Sequence, residues 1–279
     1  MKAVLNRRGH QMARFKIGHS FCLDDREFKI LSGAIHYFRV QPEDWYHSLY
    51  NLKALGFNTV ETYLPWNMHE PQKGVFNFQG ILDIEAFLQT AQDLGLYAII
   101  RPSPFICAEW EFGGLPAWLL NENMRIRSSD EAFLQAVASY YDELLPRLTP
   151  RFLDNGGNIL MMQVENEYGS YAEDKAYMRS IAQMMKVRGV TVPLFTSDGT
   201  WIEALESGTL IEDDIFVTGN FGSQPKENTD NLRAFMERYG KKWPLMCTEF
   251  WDGWFSRWSE EIVRREAEDL AQDVKEMLR

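Results

Sequence analysis

Seven short apolar runs, six of them followed by a longer stretch whose apolar residues recur at helical spacing, organise this 279-residue chain. The runs lie at 33–40, 59–65, 97–103, 159–167, 193–197, 215–220 and 244–250. Helical spacing occupies 45–55, 82–94, 133–148, 175–187, 231–239 and 260–278, with a shorter segment at 202–206. Short runs without polar alternation are what strands buried on both faces look like, and their regular alternation with amphipathic helices predicts repeated β-α units around a parallel sheet. A β-hairpin-like lead at 15–30 precedes them. Neither Gly-x-Gly-x-x-Gly nor a Walker turn follows the first strands, so the pattern points to a barrel and not an open nucleotide-binding sheet. The expected fold is α/β, a (β/α)8 TIM barrel that is incomplete, with about seven β-α units present. Asp83 and Asp174 stand where helix N-caps belong, and Gly56, Gly95 and Gly189 follow helix ends.

Composition narrows the class. Hydrophobic residues at 45% supply a sizeable core, and a net charge of −11 with both signs mixed along the chain argues against a nucleic-acid partner. Cys22, Cys107 and Cys247 are widely spaced and form no Cys-x-x-Cys or Cys/His cluster, so neither a disulfide framework nor a structural zinc is expected. No apolar segment is long enough for a signal peptide or a membrane span, and a cytoplasmic location is expected. Residues 1–14 are expected to be a flexible N-terminal extension, with Met12 as an alternative start, and 15–279 a single barrel domain. The last helix reaches Arg279 without a Gly, Pro or polar stop, which reads as truncation before an eighth strand.

Two strand-borne carboxylates carry the chemistry. Strand alternation over 159–167 sets Gln163, Glu165 and Glu167 on one face, at the end of the fourth strand, and Glu249 closes the seventh. Acids at the C-terminal ends of barrel strands are suited to glycoside cleavage, where one carboxylic acid protonates the departing oxygen and a carboxylate meets the anomeric carbon. Glu165 reads instead as a structural partner for an interior arginine such as Arg39 or Arg101. His36 and His69 have no third ligand in view, so packing or hydrogen bonding is preferred over metal binding. No metal or cofactor is expected.

The runs Gly33-Ala34-Ile35-His36-Tyr37-Phe38-Arg39, Glu61-Thr62-Tyr63-Leu64-Pro65-Trp66-Asn67-Met68-His69-Glu70-Pro71 and Arg101-Pro102-Ser103-Pro104-Phe105-Ile106-Cys107-Ala108-Glu109-Trp110 resemble glycoside hydrolase family 35. Gly113 to Leu119 and Gly156 to Tyr168 extend the likeness, which spans nearly all of 15–279. The resemblance implies a retaining exo-acting β-galactosidase, with Glu167 as acid/base, Glu249 as nucleophile, and a β-galactoside oligosaccharide or glycoconjugate as substrate. It also implies that Tyr63, Cys107, Ala108, Glu109 and Asn166 line the galactose site. Without it, Tyr63 and Cys107 would read as packing and Glu109 as a loop salt bridge. Trp251, Trp254 and Trp258 follow the nucleophile and are candidates for stacking on the leaving-group sugar, against core packing as the alternative.

Family members continue with an eighth strand, further site-lining tyrosines and β-rich domains. Two other readings therefore stand beside the enzyme: an inactive galactoside-binding remnant, and a fragment that needs a partner chain to complete the barrel. Retaining β-glucosidase or β-mannosidase chemistry is the related enzymatic alternative.

Overall fold

The computed structural model describes residues 13–278, and the expected extension at 1–14 lies almost wholly outside them. The described residues form two compact units, one of residues 13–166 and 174–195, the other of 167–173 and 196–278. Nothing in composition or linker sequence marks this division.

In the first unit the lead is a three-stranded antiparallel meander of β1 (Phe15–Ile17), β2 (Phe21–Leu23) and β3 (Arg26–Glu27). The parallel sheet then begins with β4 (Ser32–Ala34), followed by α1 (Pro42–Ala54), β5 (Thr59–Tyr63), α2 (Trp66–His69), α3 (Ile84–Asp93) and β6 (Tyr97–Arg101). After these come α4 (Glu131–Leu148), β7 (Ile159–Gln163), α5 (Lys175–Val187) and the start of β8 (Leu194–Gly199). Neighbouring strands pair in chain order and all in parallel, with Ala34 opposite Glu61, Tyr63 opposite Arg101, and Gln163 opposite Phe195.

The helices bury the faces their spacing predicts. In α3 these are Ile84, Phe87, Leu88 and Ala91; in α5 they are Tyr177, Met178, Ile181, Ala182 and Met185. Trp66 stacks on Tyr140 of α4 with ring centroids 5.1 Å apart. Burial of each such side chain stabilises by about 1.5–3 kcal/mol. Asp83 caps α3 through Ala86 N, Asp174 caps α5 through Tyr177 N, and Gly56, Gly95 and Gly189 take positive φ just past helix ends. Helix α4 starts two residues before the expected 133 because Asp130 accepts from both Ala132 N and Phe133 N.

Five strands are shorter than their apolar runs, and in two of them the backbone shows why. The run 33–40 stops being sheet at Ala34 and forms a 3-10 turn at Tyr37–Arg39. The Trp45 indole fastens that turn by donating to Tyr37 O (3.1 Å) and Val40 O (3.0 Å). The run 159–167 leaves the sheet after Gln163, because Glu165 and Glu167 both take left-handed backbone, φ 54° and 46°. Strand alternation therefore does not extend to either acid.

The second unit holds the remainder of β8, then α6 (Ile202–Gly208), β9 (Phe216–Phe221), α7 (Pro225–Arg238), β10 (Cys247–Phe250) and α8 (Ala267–Met277). β9 lies between β8 and β10 and pairs in parallel with β10. Leu205, Ile211, Val217, Leu232, Phe235 and Met236 form its core, with Tyr239, Trp243 and Leu245 packed against it. α7 begins six residues earlier than its apolar spacing, with Pro225 at its first position, where a missing N–H costs nothing. α8 covers only the latter part of 260–278, and Arg265 ahead of it reaches Asp269, Asp273 and Gly222 O.

Candidate active site

Three strand ends of the first unit meet in one buried polar cluster. β5 contributes Glu61 and Tyr63, β6 contributes Arg101, and β7 leads to Gln163 and Asn166. Arg101 is fully buried; its Nη1 donates to Glu61 Oε1 (2.9 Å), its Nε to Gln163 Oε1, and its Nη2 to Asn166 Oδ1 (2.8 Å). Its guanidinium lies 4.1 Å from the Tyr63 ring centroid. A charge this deep is tolerable because a carboxylate neutralises it and each face of the fork has an acceptor.

The Asn166 amide oxygen accepts twice more, from Tyr63 Oη (2.9 Å) and Gln163 Nε2 (3.1 Å). Three donors on one atom determine which end of the amide is oxygen. The other end, Nδ2, is buried and has no hydrogen-bond partner among the described residues.

Glu165 is taken out of the chemistry by a separate clamp. Arg127 Nε and Nη2 donate to its two oxygens at 3.2 and 2.9 Å, and Tyr177 Oη adds a third bond at 2.7 Å. Burial, reinforced by the Glu165 charge, pushes the Tyr177 phenol well above its ordinary pKa, so it stays a donor. The expectation of a structural role for Glu165 holds, but its partner is Arg127. Arg101 is engaged with Glu61, and Arg39 reaches elsewhere.

Arg39 holds the Cys107-Ala108-Glu109 turn by donating to Ala108 O and Glu109 O. All three residues of that turn have left-handed backbone, at φ 55°, 54° and 45°. Each such non-glycine residue costs on the order of 1–2 kcal/mol, and strain of this kind gathers where a site needs a fixed shape. Glu109 is exposed, while Cys107 and Ala108 are half-buried.

His36 stacks on Phe38 and leans on Tyr63, and His69 bridges Tyr37 and Asn77 O. Both therefore have the packing and hydrogen-bonding roles expected of them. Among the described residues no group of three His, Cys, Asp or Glu is placed to hold a metal, and no helix is long and apolar enough to cross a membrane.

Glu167 and Glu249 both belong to the second unit. Glu167 opens the 3-10 turn Tyr168–Ser170, its own N–H donating to Ser197 O (3.0 Å) and Gly169 N donating to Asp198 Oδ1 (2.8 Å). There is no room for a side chain at Gly169, where a Cβ would lie 2.0 Å from Ala204 O.

Asn220 hydrogen-bonds one acid and is the strand neighbour of the other. Its Nδ2 donates to Glu167 Oε1 (3.1 Å), its Oδ1 accepts from Ser197 Oγ (2.5 Å), and its Cα is the register partner of Glu249 on β10. Glu249 Oε2 also accepts from Trp251 Nε1 (3.1 Å), and both carboxylates are half-buried. Asn220 was missed in the sequence, where a polar amide closing the apolar run 215–220 was the available signal. Trp251 and Trp254 pack edge to face at 5.8 Å, but Trp258 stands apart, 100% exposed.

A family model described as glycosyl hydrolases family 35 matches residues 20–279. "Beta-galactosidase-1-like protein" of Mus musculus is 43% identical over 262 residues, which is 93% of this chain and 40% of that protein. "Beta-galactosidase 8" of Oryza sativa subsp. japonica is 38% identical over 276 residues, 97% of this chain and 41% of that protein. The chain thus spans about two fifths of the length of these relatives. Among solved structures, the catalytic domain of a mannanase from Streptomyces sp. SirexAA-E has a TM-score of 0.61 at 13% identity, covering 100% of this chain and 82% of that one. The exo-beta-1,4-mannosidase Op5Man5 from an Opitutaceae bacterium has a TM-score of 0.60 at 14% identity, covering 89% and 47%. These likenesses place the seven parallel strands in the TIM-barrel class expected from the sequence.

Proposed function

The chain belongs to glycosyl hydrolase family 35, and from that premise we propose that it is the catalytic portion of a retaining exo-β-galactosidase. The observation that carries the reading is Asn220, hydrogen-bonded to Glu167 and in register with Glu249, so that two half-buried acids share one neighbour. Retention needs carboxyl groups about 5–5.5 Å apart, close enough for a covalent glycosyl-enzyme and too close for an interposed water.

Glu249 attacks the anomeric carbon of a terminal β-galactose while Glu167 donates its proton to the departing oxygen. Each acid receives one N–H donor, Glu249 from Trp251 Nε1 and Glu167 from Asn220 Nδ2, so the division of roles between them rests on the family likeness. Formation of the ester neutralises Glu249, and Glu167, now a carboxylate, takes a proton from water as that water attacks the same carbon. Asn166 precedes Glu167 in the chain, and its unpartnered Nδ2 offers hydrogen bonds to the galactose 2-hydroxyl. On this reading Tyr63 and the strained Cys107-Ala108-Glu109 turn are the first unit's sugar contacts, and the exposed Trp254 is the second unit's contact with the leaving-group sugar.

The test is hydrolysis of a chromogenic β-galactoside and a β-glucoside by the 279-residue chain and by its Glu249→Gln variant. Galactoside-selective turnover with retained anomeric configuration, falling at least about 1000-fold in the variant, is expected. Near-normal turnover by Glu249→Gln, or an inverted first product, refutes the assignment.

A further inference from the structure

We propose that Arg101, fixed by Glu61 and Gln163, is a positioning residue that makes Asn166 a dedicated hydrogen donor and thereby sets selectivity for a substrate hydroxyl next to the reacting carbon. The inference rests on the galactosidase reading and adds to it a residue that touches no sugar.

A side-chain amide ordinarily offers a donor end and an acceptor end, and rotation by 180° exchanges them at little steric cost. At Asn166 that exchange is blocked. Arg101 Nη2, Tyr63 Oη and Gln163 Nε2 all donate to Oδ1, and a flipped amide would set its NH2 against the guanidinium and the Gln163 amide. The arginine is the member of this set that cannot change roles, because a guanidinium carries donors alone and stays charged. Tyr63 could turn its hydroxyl, and Gln163 could itself flip, but Arg101 Nε donates to Gln163 Oε1 and holds that amide too. Glu61 neutralises the arginine and sets its rotation through Nη1.

The orienting chain therefore runs from Glu61 through Arg101 to Gln163 and Asn166, each of them buried. A second clamp holds the Asn166 backbone, with Arg127 Nη2 on its carbonyl (2.8 Å) and Glu165 Oε2 on its N–H (2.7 Å). With backbone and oxygen both fixed, Nδ2 remains buried and unpartnered. Other buried polar atoms among the described residues also have no partner, but Asn166 is the one of these residues that directly precedes Glu167, so a substrate hydroxyl is the acceptor assigned to it. The charge-assisted bond to Oδ1 also polarises the amide, which makes Nδ2–H a stronger donor. The acceptor it selects is a neutral hydroxyl oxygen; a sugar with hydrogen at that carbon leaves the donor unsatisfied.

The experiment compares an aryl β-galactoside with its 2-deoxy analogue on the wild-type chain and on Arg101→Lys. Lysine keeps a cation for Glu61 but lacks the planar fork that serves three acceptors. The expected result is a preference for the parent sugar of about 100-fold or more in kcat/KM for the wild type, shrinking at least about tenfold in Arg101→Lys. An equal loss on both substrates, or an unchanged ratio, overturns the positioning role. If Arg101→Lys does not fold, Gln163→Leu removes one donor from Asn166 and one acceptor from Arg101, and the same ratio is read. If the chain turns over neither sugar, the ratio is read from equilibrium binding of galactose and 2-deoxygalactose. Absence of binding to either by the wild type defeats the galactosidase reading itself, and this inference with it; an undiminished ratio in the variants defeats this inference alone.

Discussion

Replacing Arg127 by Met isolates the clamp that holds the turn before Glu167. The guanidinium makes two hydrogen bonds to Glu165, at 3.2 and 2.9 Å, and a third to Asn166 O, and Glu165 is 1% exposed. Methionine fills much of the volume and can keep the contact with the Phe105 ring, whose centroid lies 3.9 Å from the guanidinium carbon. The loss is then chiefly electrostatic. Removing one partner of a buried pair costs about 3–5 kcal/mol because the other charge is left behind. Tyr177 and Asn166 N–H still serve Glu165 and keep the cost near the lower end. At roughly 2–4 °C of Tm per kcal/mol for a chain of this size class, the expected shift is about 10 °C.

Urea unfolding and calorimetry of wild type, Arg127→Met and the double variant Arg127→Met/Glu165→Met provide the assay. The double variant should recover at least half of the loss, since the stranded carboxylate is gone and two apolar side chains can pack. A loss below about 1 kcal/mol in the single variant, or a double variant less stable than the single, would show that Arg127 and Glu165 are not coupled as described.

Two further outcomes are expected. His69 is held neutral by burial, its pKa lowered to about 4, between the Tyr37 hydroxyl and Asn77 O. Between pH 6.5 and about 4 the unfolded chain therefore binds a proton that folded His69 does not. Stability from this group is complete above pH 6.5 and drains as pH falls toward 4, by roughly 3 kcal/mol at about 1.4 kcal/mol per pH unit. His69→Gln should flatten that part of the urea-derived stability profile, and an unchanged slope would contradict it. Trp254 is 58% exposed, so Trp254→Ala should change stability by less than about 0.5 kcal/mol while slowing cleavage of oligosaccharides more than of aryl galactosides. Equal rates on both substrate types would remove Trp254 from the leaving-group site.

Periodicity made the strands and helices legible because it records which residues are buried. All seven parallel strands fall within or beside the runs read from sequence, and α5 has the expected limits, Lys175–Val187. What periodicity does not record is backbone handedness. Glu165 and Glu167 share an alternation in the sequence, yet both take left-handed backbone, and the first turns to Arg127 while the second meets Asn220. Long-range polar partners are equally silent: Arg127 lies 38 residues from Glu165, and no local pattern joins them. The N-terminal part of α7 escaped for a third reason. Its Pro-Lys-Glu-Asn-Thr-Asp start has no apolar stripe, and a first-position proline reads as a loop until the helix behind it is visible.

The Gly169 turn has an evolutionary reading. A Cβ at Gly169 would meet Ala204 O at 2.0 Å and Gly208 N at 2.8 Å; one at Gly208 would strike the Asp198 carboxylate at 2.1 Å; and that carboxylate is the acceptor for Gly169 N. Positions 169, 198 and 208 thus behave as a single heritable character, although 39 residues separate the first from the last. Drift at one leaves either a clash or an orphaned N–H at another, so a lineage that alters this corner must pass through a damaged intermediate or change several positions together.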